Sequence, residues 1–438
     1  MTIYSAPAID SRLRRAPSFR HWQRESHDSG GLPLIAVAGS RGKSSVVRML
    51  DAIFSSANLR TATWTDLGVE IFGRRQRGEL APWSRALSRL ASGTLDVAIQ
   101  ELDWSTVNAV GLPHGVYPIV AVTNLCLNSD SCLNHAESRL GLAAFPRITH
   151  AVRSDGILVL NGEDFSLAGT EADHPSPTIL VAINSENPLI RSHLEHGGSA
   201  AWLHEDALYF GDHGAQVRII DTEGLSYAMG GAASFQIINV LTAASVAVAC
   251  GMDIHSVSNA LAKYSPSISL LPRSFHVSRV FGATAVVDRA GPSWFLRPML
   301  RAVNPGMKRT QVTVLSAAMD IPDIELQEVG RLLGRTHGAI ILHSESLEPE
   351  RSALLRRGIR QNDVPPLVVH TPTERQAVGR ALRLIRPHHV LMVLADDPVA
   401  VHRTLSRAGQ QAWVSDKLWD MLQMPTTGIP TSPSPCAP

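Results

Sequence analysis

LPLIAVAGSRGKSSVVRML, residues 32–50, runs from an apolar strand through a glycine-rich turn into a helix. That order makes a phosphate cradle. Gly39 and Gly42 let the backbone turn tightly, so that the loop they bracket with Ser40, Arg41 and Ser45 brings its N–H groups onto an anion. Lys43 supplies a point charge for the β- and γ-phosphate oxygens, and the Ser44 hydroxyl can ligate Mg²⁺. The following helix aims the positive end of its dipole at the same spot. The chain holds only four lysines, so one placed here carries information. The competing reading, a strand–helix turn with an exposed lysine, needs no ligand. The pattern favours a nucleoside triphosphate site.

A chain of 438 residues has room for two or three domains, each with a proper core. Net charge is +1 with 18% charged residues, which excludes a basic field for nucleic acid and an acidic tail. With no run of 18 or more apolar residues and no signal-peptide pattern, the expectation is a soluble, cytoplasmic protein that does not work at a membrane. Cys126, Cys132, Cys250 and Cys436 lack the paired spacing of a zinc site and are expected to be reduced thiols. Arginine outnumbers lysine 36 to 4, which reads as codon bias rather than as a binding signal.

Working outward from the loop, residues 1–30 have no periodicity and read as a flexible N-terminal arm. Residues 31–264 alternate short apolar strands (LIAVAG, LDVAIQE, YPIVAVTN, GILVLNGED) with amphipathic helices and end in a long Ala-rich helix that includes FQIINVLTAASVAVACGM. KYSPSISLLPRSF has the prolines of a linker, after which the alternation restarts over residues 265–424. The last residues, 425–438, are Pro/Ser/Thr-rich and read as a disordered tail. The fold class is therefore α/β. A P-loop-type central ATPase domain with a mostly parallel sheet precedes a Rossmann-like C-terminal α/β domain.

Several stretches, in order, resemble the Mur ligase family, and most of all the Mur-ligase-like module of cyanophycin synthetases. GSRGKSS resembles the family's phosphate loop, and TATWTDLGVEIFGRR the stretch after its first helix. DVAIQELDW resembles the strand that ends in a Mg²⁺-binding glutamate, and GLPHGVYPIVAVTN the next strand. HAVRSDGILVLNGED, FQIINVLTAASVAVACGM, LPRSF and VVDRAGP continue the series over roughly residues 31 to 415.

The resemblance implies an ATP- and Mg²⁺-dependent ligase that joins a carboxylate to an amine through an acyl phosphate. It places Lys43 on the phosphates, Ser44 and Glu101 on metal, Asn239 on adenine, Arg273 on phosphate or ribose, and Asp288 on ribose. Read from the residues alone, Glu101 is equally a solvated strand-end carboxylate and Asn239 a capped polar residue in a helix. Arg273 and Asp288 could be ordinary surface ion pairs. The expected partners are a small-molecule or peptide acid, an amine or amino acid, a separate ATP-grasp protein, and a second copy of the chain in a homo-oligomer. A Pro-rich hinge ending at Arg273 is expected to close the last domain over the nucleotide.

Departures from the family pattern are equally plain. Phe145 stands where the family has a carbamylated lysine, and no lysine occurs between Lys43 and Lys263. The family's D-H pair aligns with Asn128 and Ser129, with Asp130 and His135 nearby. Its H-N pair has become Phe235 and Gln236, and a further histidine has become Gly291. One metal site stronger than the other follows from the lost carbamate. Two other readings stay open: a degenerate homologue serving as a non-catalytic subunit, and a small-molecule kinase.

Overall fold

The structure is a computed structural model that describes residues 32–125, 136–168, 176–212, 215–316, 321–343 and 348–423. The N-terminal arm, the tail, Cys126, Cys132, Cys436, Asn128, Ser129, Asp130 and His135 lie outside the described residues.

The chain opens with β1 (Leu34–Ala38), α1 (Lys43–Ser56), β2 (Thr61–Thr65), β3 (Gly68–Ile71), β4 (Arg74–Arg75), α2 (Leu80–Ala91) and β5 (Val97–Leu102). Next come α3 (Trp104–Val110), β6 (Tyr117–Val122), α4 (Ala136–Ala151), β7 (Val152–Asn161), α5 (Phe165–Ala168), β8 (Thr178–Ala182) and α6 (Pro188–Glu195). The first unit finishes with β9 (Ser199–His204), β10 (Ala207–Asp212), β11 (Ala215–Asp221), α7 (Ser234–Ala249) and α8 (Ile254–Lys263). These strands form one sheet in the order β11-β10-β9-β8-β7-β6-β1-β5-β2-β3-β4. The middle, from β9 to β2, is parallel, and both ends finish in antiparallel pairs.

Strands buried on both faces explain the unbroken apolar runs of β1 and β6. On one face α1 packs over β1, β5 and β2, and α7 lies beside it over β6 to β9, its alanines letting the two helices sit close together. Alternation of the β1 side chains divides them: Ile35 and Val37 face α1, and Leu34, Ala36 and Ala38 face the other layer.

One buried charge breaks that apolar layer. Arg48 on α1 is 3% exposed and forks onto Glu70 of β3, with Nη1–Oε2 at 2.7 Å and Nη2–Oε1 at 3.1 Å. Removing Glu70 leaves the buried Arg48 charge with Asp51, 4.0 Å away, as its nearest carboxylate. Glu70→Ala should therefore lower the unfolding free energy by about 3–5 kcal/mol, while replacing both partners with apolar residues of similar volume recovers most of the loss. Urea unfolding at constant slope measures it. A loss below about 1 kcal/mol would mean that water reaches the pair.

Residues 264–275 form neither helix nor strand and join the first sheet to the second. The second unit is β12 (His276–Val280), β13 (Ala283–Asp288), α9 (Ser293–Val303), β14 (Gln311–Leu315), α10 (Asp323–Leu333), β15 (Gly338–His343), α11 (Pro349–Ile359), β16 (Leu367–Thr371), α12 (Glu374–Leu384), β17 (Val390–Leu394) and α13 (Pro398–Gln423). Its sheet runs β12-β13-β17-β14-β15-β16, parallel except for the edge strand β12. Apolar side chains on α9 and α10 belong to the same buried cluster as the outer face of the first sheet. Two layered α/β units thus meet along the C-terminal ends of β1, β5 and β13.

Candidate nucleotide and metal site

The loop after β1 divides into two functional parts. Gly39 to Arg41 are fastened to the end of β6. At Gly39 (φ +142°) an added Cβ would lie 1.9 Å from Thr123 Oγ1, so only glycine lets the loop pass the strand. Ser40 donates its N–H to Asn124 O (2.9 Å) and its hydroxyl to Leu125 O (2.9 Å), while Trp104 Nε1 donates to the same hydroxyl (3.0 Å). Thr123 Oγ1 (2.5 Å) and Asn124 Nδ2 (2.9 Å) donate to Arg41 O, and Arg41 N–H donates to Asn124 Oδ1 (3.1 Å). Ser40 is thus committed to scaffolding, a narrower role than its membership of the loop suggests.

Gly42 to Ser45 face the opening. Gly42 (φ +87°) caps α1 without any side-chain acceptor, and an added Cβ there would lie 2.2 Å from Asn239 Oδ1. The backbone ladder of α1 starts with Val46 N–H to Gly42 O, so the N–H groups of Lys43, Ser44 and Ser45 precede it. N–H groups at a helix N-terminus suit an anion, and the other half of the loop fastens them to the end of β6.

Glu101, on β5 beside β1, closes the constellation. Its Oε2 accepts from Ser44 Oγ at 2.8 Å, and its Oε1 lies 3.7 Å from Lys43 Nζ. Burial pushes the Glu101 carboxyl above the usual range, while Lys43 and the Ser44 hydroxyl pull it back. The donors suit Mg²⁺. All are hard oxygens, and two cis ligands of an octahedral Mg²⁺ at its normal bond length stand about 2.9 Å apart. The observed Ser44–Glu101 separation is 2.8 Å. Asp66, whose charge Glu101 also feels, is a third oxygen donor on the same wall.

A cavity of about 1130 Å³ extends from this point to the second domain. Its lining brings together Ser40, Arg41, Gly42, Lys43, Ser44, Ser45, Glu101, Asn239, Arg273 and Asp288, which are scattered over 250 positions of sequence. Asn239 is 5% exposed and donates to Gln236 Oε1 at 3.0 Å. Phe235 meets Phe275 edge to face at 5.0 Å, giving the wall beside Asn239 a flat apolar surface. Arg273 is exposed on the linker, with no ion pair among the described residues, and Asp288 is buried rather than at the surface. Trp64, Asp66 and Leu80 line the other end. Phe145 is absent from the lining and sits in the apolar cluster with Trp104 and Leu160.

Sequence reading missed the bridge that Arg41 makes between the domains. Its guanidinium lies 4.0 Å from the centroid of the Phe295 ring on α9. A Cβ on Gly291 would approach Arg41 Nη2 to 2.9 Å. The arginine therefore occupies the space that a side chain at 291 would need, and Gly291 suits this chain for that reason. No local pattern announces such a pair, because its members are 250 residues apart.

Asp288 adds a pH dependence. Burial pushes its carboxyl up to about 7, against the Arg289 N–H and the charges of Arg41 and Arg289. Keeping it neutral stabilises the fold fully below the ordinary carboxylate range, and that contribution is lost as pH rises through about 7. Asp288→Asn should raise the melting temperature at pH 8 and leave it nearly unchanged at pH 4. The difference is bounded at roughly 4 kcal/mol. Calorimetry across that range checks it, and an equal shift at both pH values would contradict it.

Fold and loop together define an α/β protein of two sheets with a P-loop-type turn at the start of its first helix. Residues 37–247, which hold most of the first sheet and its helices, match the model of the Mur ligase middle domain. Cyanophycin synthetase of Nostoc sp. is 23% identical over 404 residues, covering 90% of this chain and 44% of that protein. Its counterpart from Trichormus variabilis is 23% identical over 415 residues, covering 92% and 45%. The chain thus spans less than half the length of these curated relatives. Among solved structures, E. coli FolC in complex with DHPP and ADP superposes with a TM-score of 0.58 at 13% identity, covering 94% of this chain and 93% of that one. The murein peptide ligase Mpl from Psychrobacter arcticus gives 0.53 at 14% identity, covering 88% and 79%. At such identities the superpositions speak for the fold. No helix among the described residues is long and apolar enough to cross a membrane.

Proposed function

We propose that this chain is an ATP-dependent ligase that forms an amide from a carboxylate and an amine, releasing ADP and phosphate. The observation that supports it best is the contact of Ser44 and Lys43 with Glu101 on a cavity roofed by a second α/β domain. The N–H groups at the start of α1 and the Lys43 ammonium would hold the β- and γ-phosphates. Ser44 and Glu101 would hold Mg²⁺, which supplies charge neutralisation at the transferring phosphoryl group. Adenine would lie by Asn239 against Phe235 and Phe275, and Arg273 and Asp288 would reach the ribose or phosphates.

The chemical demand is positioning. A carboxylate is a weak nucleophile approaching an anionic phosphoryl group, so cations must converge on the oxygens between them. Lys43 and Arg41 both line the cavity where that would happen. Attack transfers the γ-phosphoryl group to the carboxylate, and the amine then displaces phosphate through a tetrahedral intermediate. The acid and amine would enter from the end lined by Trp64, Asp66 and Leu80.

The burial of Phe145 in the core favours a second reading, a nucleotide-binding homologue without catalysis, because no side chain there offers metal an oxygen. Phosphate release by the purified chain with ATP, Mg²⁺ and panels of acids and amines separates the two. Ligation predicts release only when acid and amine are both present, with a hydroxamate formed when hydroxylamine replaces the amine. ATP binding without turnover on any pair would overturn the catalytic reading. A stable phosphorylated product would point to a kinase.

A further inference from the structure

The second domain has a switch point of its own, where parallel sheets form a crevice outside the strand ends. β17 lies beside β14, and the chain leaves their C-terminal ends in opposite directions. From β14 it continues to β15, and from β17 into α13, which packs on β12 and β13. Parallel sheets take ligands at such a switch point.

Three ligating side chains converge there. His343 ends β15, Glu374 begins α12, and Asp396 follows β17, with one ligand atom from each lying within 4.8 Å of the others. His343 is 3% exposed, and its Nε2 stands 3.1 Å from Asp396 Oδ2. Glu374 accepts the N–H groups of Asp396 (2.7 Å) and Asp397 (3.1 Å), which fixes its carboxylate against the loop that carries Asp396. Backbone capping uses one lone pair on each oxygen and leaves the others for a cation.

A separate observation points to a ligand at the same place. Leu315 of β14 pairs with Leu342 of β15, so Ser316 stands one strand over from His343 on the same face. Its hydroxyl is fully buried and has no hydrogen-bond partner among the described residues. A buried hydroxyl without a partner is uncommon and calls for a water or an ion that completes it. None of these four residues lines the nucleotide cavity.

We propose that His343, Glu374 and Asp396 bind a divalent transition ion of the Zn²⁺ class, with Ser316 Oγ bonded to a water on the ion. One imidazole and two carboxylates make a mixed nitrogen–oxygen donor set, which suits Zn²⁺ or Co²⁺ better than Mg²⁺. The ion would tie together the end of β15, the start of α12 and the β17–α13 loop, leaving an open coordination position toward the crevice. This holds whether or not the chain is a ligase.

Cobalt titration of the full chain tests it, after chelator treatment and without nucleotide. Glu101→Gln serves as the background, so that the nucleotide site contributes no carboxylate. The expected result is one Co²⁺ per chain with a ligand-field absorption band, displaced by Zn²⁺ and not by Mg²⁺. Asp396→Asn, at an exposed position, should weaken binding by at least about tenfold, and His343→Gln should remove the band. Circular dichroism confirms that each variant is folded. Absence of the band in the folded parent, or a band that both variants leave unchanged, overturns the proposal.

Discussion

Lys43→Ala should reduce ATP-dependent phosphate release by at least about a thousandfold and weaken ATP binding by one to two decades. The ammonium is one of the few cations on the central-domain wall, and it faces a carboxylate 3.7 Å away in a largely buried setting. Its removal acts twice. The triphosphate loses its point charge, and Glu101 loses the neighbour that holds its carboxyl down, so burial pushes that carboxyl still higher. That favours the protonated carboxyl, which is a poor ligand for Mg²⁺. The fold should survive, because the scaffolding half of the loop, from Gly39 to Arg41, makes its bonds to Thr123 and Asn124 without Lys43. Lys43→Arg should rescue little, since a planar guanidinium is longer and cannot present a compact charge at the same point. Calorimetry with ATP and Mg²⁺, with turnover measured beside it, checks both halves. Turnover within tenfold of the parent would remove Lys43 from the chemistry and with it the ligase proposal.

The site and the fold were legible to different depths. The strand–loop–helix of residues 34–56 could be read because every signal in it is local: apolar run, two glycines, a lysine, then helical spacing. The Ala-rich helix α7 declared its burial by being apolar on all sides. The edge of the first sheet was less visible. β9 to β11 form antiparallel hairpins whose exposed faces interrupt the apolar alternation, and the tight turn at Glu205 lacks the usual glycine. Arg48 looked like an ordinary charged residue on a helix, because its partner Glu70 lies beyond a strand and a turn. Arg41 and Gly291 illustrate the general limit. Gly291 seems a loss when taken singly against a family pattern, and only the folded chain shows the Arg41 guanidinium beside it.

Glu101→Gln should lower turnover by about 100- to 1000-fold while leaving the protein as stable as before or more so. The two effects have one cause. In the free protein the carboxylate is held in a buried place that disfavours its charge, so its carboxyl sits above the ordinary range despite Lys43 and Ser44. For a carboxyl raised in this way, the stability from its neutral form is present at low pH and lost as pH rises through the folded value. A neutral amide of the same size escapes that loss. The melting temperature of the variant should therefore gain on the parent above neutral pH and converge with it in acid. Binding of Mg²⁺ runs the opposite way, since the ion needs the ionised oxygen and is favoured as pH rises. The requirement for Mg²⁺ in turnover should move to higher concentration in the variant, because Ser44 alone offers a neutral ligand. A carboxylate kept for structure would show the reverse pattern, with stability falling on substitution and Mg²⁺ dependence unchanged. Thermal melts at several pH values and a Mg²⁺ titration of phosphate release decide between the two, and that reverse pattern would return Glu101 to the scaffold.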